Sequence, residues 1–131
     1  MRLVYDRRQN ALRVSLTDNR SEVAVRNLCQ GVVDVGEGGR LLGVEFKLAN
    51  ELKSLEHQLL PWLLDGQFGQ YITIDPGGNV YIELTEQYTG DVARSCDVEV
   101  TLELDSKDQL QSITFPRSGS GYEITYPSGN R

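Results

Sequence analysis

The sequence predicts a mainly β fold: two antiparallel β repeats packed as one pseudo-twofold sandwich or roll, with one helix between the repeats. Three observations predict it. The first is an internal repeat, in which residues 3–46 return as residues 72–115. Asp6 recurs as Asp75, Asn10 as Asn79, and Leu16-Thr17 as Leu84-Thr85. Val23-Ala24 recurs as Val92-Ala93, Asp34-Val35 as Glu103-Leu104, and Leu41, Val44 and Phe46 as Leu110, Ile113 and Phe115. Most partners lie 69 positions apart; the offset falls to 68 after Asn79, where the first turn is one residue shorter. The second observation is apolar/polar alternation, the period of a strand with one buried face. The third is the turn formers that separate the alternating runs.

The elements follow in order. Each copy reads as about five short strands, near 2–6, 11–17, 22–27, 31–35 and 41–47, with counterparts near 71–75, 80–85, 91–95, 97–104 and 110–115. Val98 to Leu104 alternates without error; Leu12, Val14 and Leu16 alternate with Arg13 and Ser15. Gly36-Glu37-Gly38-Gly39, Asp75-Pro76-Gly77-Gly78-Asn79 and Asp105-Ser106-Lys107-Asp108 are the turns. Loops this short between successive strands imply antiparallel neighbours. Between the copies, Leu52, Leu55, Leu59 and Trp62 or Leu63 fall at helical spacing after Asn50, a plausible N-cap. Pro61 ends or kinks that helix at Leu60, and Gly66 stops it. After the second copy, Tyr122, Ile124 and Tyr126 alternate with Glu123 and Thr125. The expected organisation is a single domain over 1–131: repeat 1 (1–48), a helical linker (49–70), repeat 2 (71–116) and a C-terminal strand (121–127). A repeat of about 45 residues buries too little apolar surface to stand alone, so the two are expected to share one core.

Charge narrows the partners. The net charge is −6 and the sequence pI about 4.7. That argues against a nucleic-acid backbone and an anionic membrane surface, both of which need a basic patch. A basic protein partner is compatible with it. No apolar run reaches the ~18 residues of a spanning helix. Residues 1–6 turn polar at once and carry no signal-peptide core. Cys29 and Cys96 are out of register by two residues between the copies, which speaks against a symmetric disulfide and for a reduced, cytoplasmic pair. The chain is expected to be monomeric, as an intramolecular dimer, with further association open.

Some of these residues carry a resemblance. Tyr5-Asp6, then Asn10-Ala11-Leu12-Arg13-Val14-Ser15-Leu16, then Gly39-Arg40-Leu41-Leu42-Gly43-Val44-Glu45-Phe46 resemble the small bacterial family catalogued as domain of unknown function 2283. The first copy is similar to that pattern over nearly its whole length. The second departs from it, with Ile74-Asp75 and Ser112-Ile113-Thr114 at the corresponding places. The resemblance implies a mainly β unit; the family has no established activity, and some relatives look like partners of small toxin-like proteins.

Candidate chemistry is sparse. Asp6 and Asp75 stand at strand ends before tight turns, where a carboxylate accepts hydrogen bonds from turn amides. Asp6 and Glu45 are the candidate catalytic pair, since a paired-carboxylate hydrolase needs two acids about 5–10 Å apart in a cleft. Glu45 is answered by Thr114 in the second copy, and with Val44 and Phe46 inward it faces water. No metal and no cofactor is expected: His57 is the sole histidine, the cysteines form no C-x-x-C pair, and Asp105 with Asp108 falls short of a calcium loop. The glycines at 36, 38 and 39 lead into a strand rather than a helix, so no phosphate site is expected. Trp62, Leu59 and Leu63 form an apolar knot and are the candidate partner-binding residues. The favoured function is a non-catalytic protein-interaction or structural module; the alternative is a small hydrolase or ligand-binding enzyme using Asp6 and Glu45.

Overall fold

The computed structural model describes residues 2–15, 23–47, 72–75, 78–84, 94–107, 109–119 and 121–125. The helical linker 49–70, with His57, Leu59, Trp62 and Leu63, lies outside the described residues. Among them the chain is mainly β, and its one helical element is a 3₁₀ turn at Glu37–Gly39. The strands are β1 (Arg2–Asp6), β2 (Ala11–Ser15), β3 (Val25–Val35), β4 (Leu41–Lys47), β5 (Ile72–Ile74), β6 (Asn79–Glu83), β7 (Arg94–Leu104), β8 (Leu110–Pro116), β9 (Ser118–Gly119) and β10 (Tyr122–Glu123).

The first eight strands form one curled antiparallel sheet in the order β1-β2-β8-β7-β3-β4-β6-β5. The sandwich alternative, two separate sheets hiding one another, is therefore corrected. The apolar faces are hidden instead by the curl of a single sheet and by the small β9–β10 hairpin. The order puts β2 against β8, far away in sequence, and joins β3 to β7 through eleven consecutive pairs, from Val25 opposite Leu104 to Val35 opposite Arg94.

The count of five strands per copy is corrected too. Residues 25–27 of the expected strand 22–27 and the expected strand 31–35 belong to one strand, β3; residues 94–95 of the expected strand 91–95 and the expected strand 97–104 belong to β7, while 22 and 91–93 lie outside the described residues. Gly31 suggests a break in β3, but its role is close approach. A Cβ there would stand 2.6 Å from the Glu45 carbonyl oxygen and 2.6 Å from Val100 Cγ2. The strand runs straight through because its partner β7 supplies the ladder along its whole length. Of the C-terminal strand expected over 121–127, Tyr122–Glu123 is the paired part among the described residues 121–125, its partner being β9.

The concave face holds the core. Leu12, Val14, Val44, Val80, Ile82 and Ile113 are fully enclosed, and Phe46 and Phe115 are the largest fully buried side chains among the described residues. Ile124, also fully buried, is brought to the core by the hairpin that follows β8. That hairpin is fixed by Ile124 N–H donating to the Arg117 carbonyl at 2.9 Å, Thr125 N–H to Gly39 at 2.9 Å, and the Tyr122 hydroxyl to Pro116 at 2.8 Å. Arg117 adds a contact to the first strand: its guanidinium lies 5.0 Å from the Tyr5 ring centre and donates to the Tyr5 hydroxyl.

Candidate functional site

The convex face carries the polar side of every strand, and its chemistry is unevenly shared. Glu45 on β4 stands opposite Val32 on β3, and Val32 stands opposite Asp97 on β7. Directly opposite residues share a face, so Glu45 and Asp97 flank Val32 on one row. With neighbouring strands ~4.8 Å apart, their backbones are separated by about 10 Å. Tyr81 on β6 continues the row beyond Glu45 and lays its ring over Gly43, which has no Cβ to exclude it. A cleft of about 160 Å³ opens along this row. Val32 supplies its apolar side chain, the backbone at Gly31 and Phe46 forms part of its floor, and Gln30, Glu45, Lys47, Asn79 and Asp97 are its polar lining.

The positions 69 residues away from these do not build the same surface. Thr114 answers Glu45, Thr101 answers Val32, and Leu28 answers Asp97. Their row runs Arg13, Thr114, Thr101, Leu28 and carries no acid. Among the described residues, two acids flank a valine on this row and none does on its counterpart, and Lys47 stands beside Glu45 in the cleft.

Asp6 is on β1, separated from β4 by four strands in the sheet order, and its carboxylate is engaged locally. Its Oδ1 accepts from the Arg8 amide at 2.9 Å and the Gln9 amide at 3.4 Å. Asp75 does the corresponding work for the β5–β6 turn, accepting the Asn79 amide at 3.0 Å and the Asn79 side-chain amide at 2.9 Å. Asp105 accepts the amides of Lys107 and Gln109. These three aspartates act as turn organisers.

Sequence reasoning missed a second polar cluster on the convex face. Glu103 has a side chain only 2% exposed, yet it points away from the core. Arg13 Nε lies 3.0 Å from its Oε1, Arg26 Nε 3.2 Å from its Oε2, and the Ser112 hydroxyl donates to Oε1 at 2.8 Å. Alternation alone reads Glu103 as a wet residue; only the register reveals that β2, β8 and β3 bring donors to it. Its counterpart Asp34 accepts one hydrogen bond, from Ser95 at 2.7 Å. Asn10, with a positive φ of 49°, is the other missed position: it accepts from the Tyr5 hydroxyl and donates to Ser118, tying the first turn to the C-terminal hairpin.

Neither cysteine is bridged. Cys29 stands opposite Val100 and Cys96 opposite Val33, several residues apart along neighbouring strands. Burial pushes the Cys29 thiol up to about 11, which keeps it protonated and a poor nucleophile near neutrality. Among the described residues no group of three His, Cys, Asp or Glu side chains is placed to hold a metal ion, and no helix is long and apolar enough to cross a membrane.

No family model matches the chain, nor does any curated protein or solved structure.

Proposed function

We propose that this chain is a non-catalytic interaction module that receives a basic protein partner on the convex face of its sheet. The observation that carries the reading is the cleft in which Glu45 and Asp97 flank Val32. A Lys or Arg side chain is the natural complement. Its aliphatic stem covers the valine while its charged head reaches a carboxylate. The net charge of −6 steers such a partner toward the chain. The enzymatic alternative requires Asp6 and Glu45 to converge, whereas they sit on β1 and β4 with β2, β8, β7 and β3 between them. The apolar knot of Leu59, Trp62 and Leu63 stays a second proposed contact for such a partner.

The same proposal includes a duplication. The halves are two diverged copies of one β unit, akin to the domain of unknown function 2283 family, and they exchange strands about a pseudo-twofold axis. Three observations support this. The strand order is unchanged when β1–β4 are exchanged for β5–β8 and the sheet is read from its other edge. The β3–β7 register sets Gln30 opposite Glu99, its own counterpart 69 positions on. Phe46 and Phe115, also 69 apart, are the two largest fully buried side chains among the described residues. Duplication leaves one copy free to change, which accounts for two acids on the Val32 row and none on its counterpart among the described residues.

The test uses a fluorescent Lys/Arg-rich peptide titrated with the full chain. Saturable binding is expected, weakened at least tenfold by Glu45→Lys. Glu37→Lys, which makes the same change in net charge at an exposed position in the β3–β4 turn, should leave it nearly intact. Equal weakening by both variants would reduce the effect to overall charge and overturn the site.

A further inference from the structure

We propose that β1 is a self-association edge, through which two copies of this chain join β1 to β1 antiparallel about a twofold axis and continue one sheet into the next. The inference is independent of the cleft, which lies on β3, β4, β6 and β7.

β1 ends the strand order and pairs, among the described residues, with β2 alone. Soluble proteins guard such edges with charged side chains, proline, bulges or very short strands. β1 has no proline and no bulge, and its two charged residues, Arg2 and Asp6, are of opposite sign and so do not repel a second copy: the strand reads Arg2, Leu3, Val4, Tyr5 and Asp6, paired to β2 in unbroken register. Val4 is 42% exposed on the convex face, while Leu3 and Tyr5 pack against the core from the concave side.

The sequence of this strand complements itself. Antiparallel pairing centred on Val4 sets Val4 opposite Val4, Leu3 opposite Tyr5, and Arg2 opposite Asp6. Each of these is a favourable cross-strand pair: β-branched on β-branched, aliphatic on aromatic, cation on anion. The twofold axis makes the last two occur twice. The faces agree as well, because directly opposite residues point the same way. Leu3 and Tyr5 of one copy therefore extend the concave apolar surface of the other.

The opposite edge of the sheet lacks these properties. β5 is only three residues long, the very short kind of strand that guards a sheet edge, and it is followed by Asp75. Both oxygens of Asp75 are already used by Asn79. Association is therefore expected at one edge, giving a closed dimer rather than a filament. A strand edge alone falls well below the ~1,000 Å² of a stable interface, so the dimer is a weak one, populated at high protein concentration.

Sedimentation equilibrium of the full chain from about 10 µM to about 1 mM is expected to show a monomer–dimer equilibrium. Arg2→Glu or Asp6→Lys alone sets like charges opposite each other at two places and should weaken association about tenfold or more. Mixing the two variants pairs glutamate with lysine and native Asp6 with native Arg2, so the mixture should dimerise when neither variant does. Val4→Cys should form a disulfide-linked dimer under mild oxidation, joined through position 4 of both chains. If Asp6→Lys disturbs the turn, Arg2→Glu and the Val4→Cys cross-link decide the matter. A chain that stays monomeric over the whole range overturns the proposal. So does association that Arg2→Glu leaves unchanged, or a cross-link at Cys29 or Cys96 instead of position 4.

Discussion

Glu103 offers the sharpest test of the energetics. Its carboxylate is nearly enclosed, while the arginines that neutralise it are 48% and 63% exposed. The two sides of the network should therefore respond differently to truncation. In Glu103→Leu the buried charge is gone, the leucine fills most of the space, and Arg13 and Arg26 turn into water. Replacing buried ionic groups by apolar ones of similar volume is often close to neutral, so the expected loss is at most about 1 kcal/mol. In the double variant Arg13→Ala, Arg26→Ala the carboxylate keeps only the Ser112 hydroxyl. A buried charge left unpaired costs about 3–5 kcal/mol. Each arginine alone should cost about 1 kcal/mol, because the other still neutralises the carboxylate and exposed pairs are individually weak. The singles should thus fall short of the double by at least about 1 kcal/mol of coupling. Urea denaturation followed by circular dichroism measures all four variants, with an unchanged m-value as the control for two-state behaviour. If Glu103→Leu costs more than the double arginine variant, or the single losses add up to the double, the account of a buried anion held by two half-solvated cations is refuted.

Three further predictions follow the same reasoning. Gly31→Ala should destabilise by about 1–3 kcal/mol or more, because the new Cβ meets a backbone oxygen that cannot move without breaking the β3–β4 pairing; thermal melting checks it. Asp75→Ala removes two acceptors from the β5–β6 turn and should cost about 1 kcal/mol, read as a lower melting temperature. Burial raises Cys29 from 9.0 to about 11, so the unfolded chain gives up that proton first. The stability contributed by the neutral thiol is present below pH 9 and is lost as pH rises through 11, with Tyr122 shifted in the same direction by its burial and by Cys96. Denaturation midpoints should fall between about pH 8 and about pH 10.5, and Cys29→Ser should flatten part of that slope.

Much of the strand content was legible, because alternation reports which side chains point inward. Val98 to Leu104 and Leu12 to Val14 fall on strands as expected, and Val44 and Phe46 point inward with Glu45 between them. Pairing was not legible. Periodicity carries no information about which strand lies alongside, so nothing in Ala11 to Ser15 announces that its neighbour is β8. That gap left sandwich and roll both open where the structure has one curled sheet, and it cut β3 and β7 each at a place where only the partner strand shows continuity. The site suffered in the same way. Glu45 was recognisable as an outward acid, but Asp97 joins it only through the register of Val32, and Glu103 becomes buried only through Arg13 and Arg26 from distant strands.

The pairing of β2 with β8 also sets a schedule for synthesis. Ala11 lies against Pro116, so the first hairpin leaves the ribosome about 105 residues before its partner strand exists. At roughly 5–20 residues per second, that hairpin waits about 5–20 s with the inner edge of β2 bare. Leu12 and Val14, buried in the finished sheet, are without β8 throughout that interval. The nascent chain is therefore most open to misassembly at its beginning, and the same wait gives a holding chaperone a defined stretch, 11–15, and a defined window in which to act.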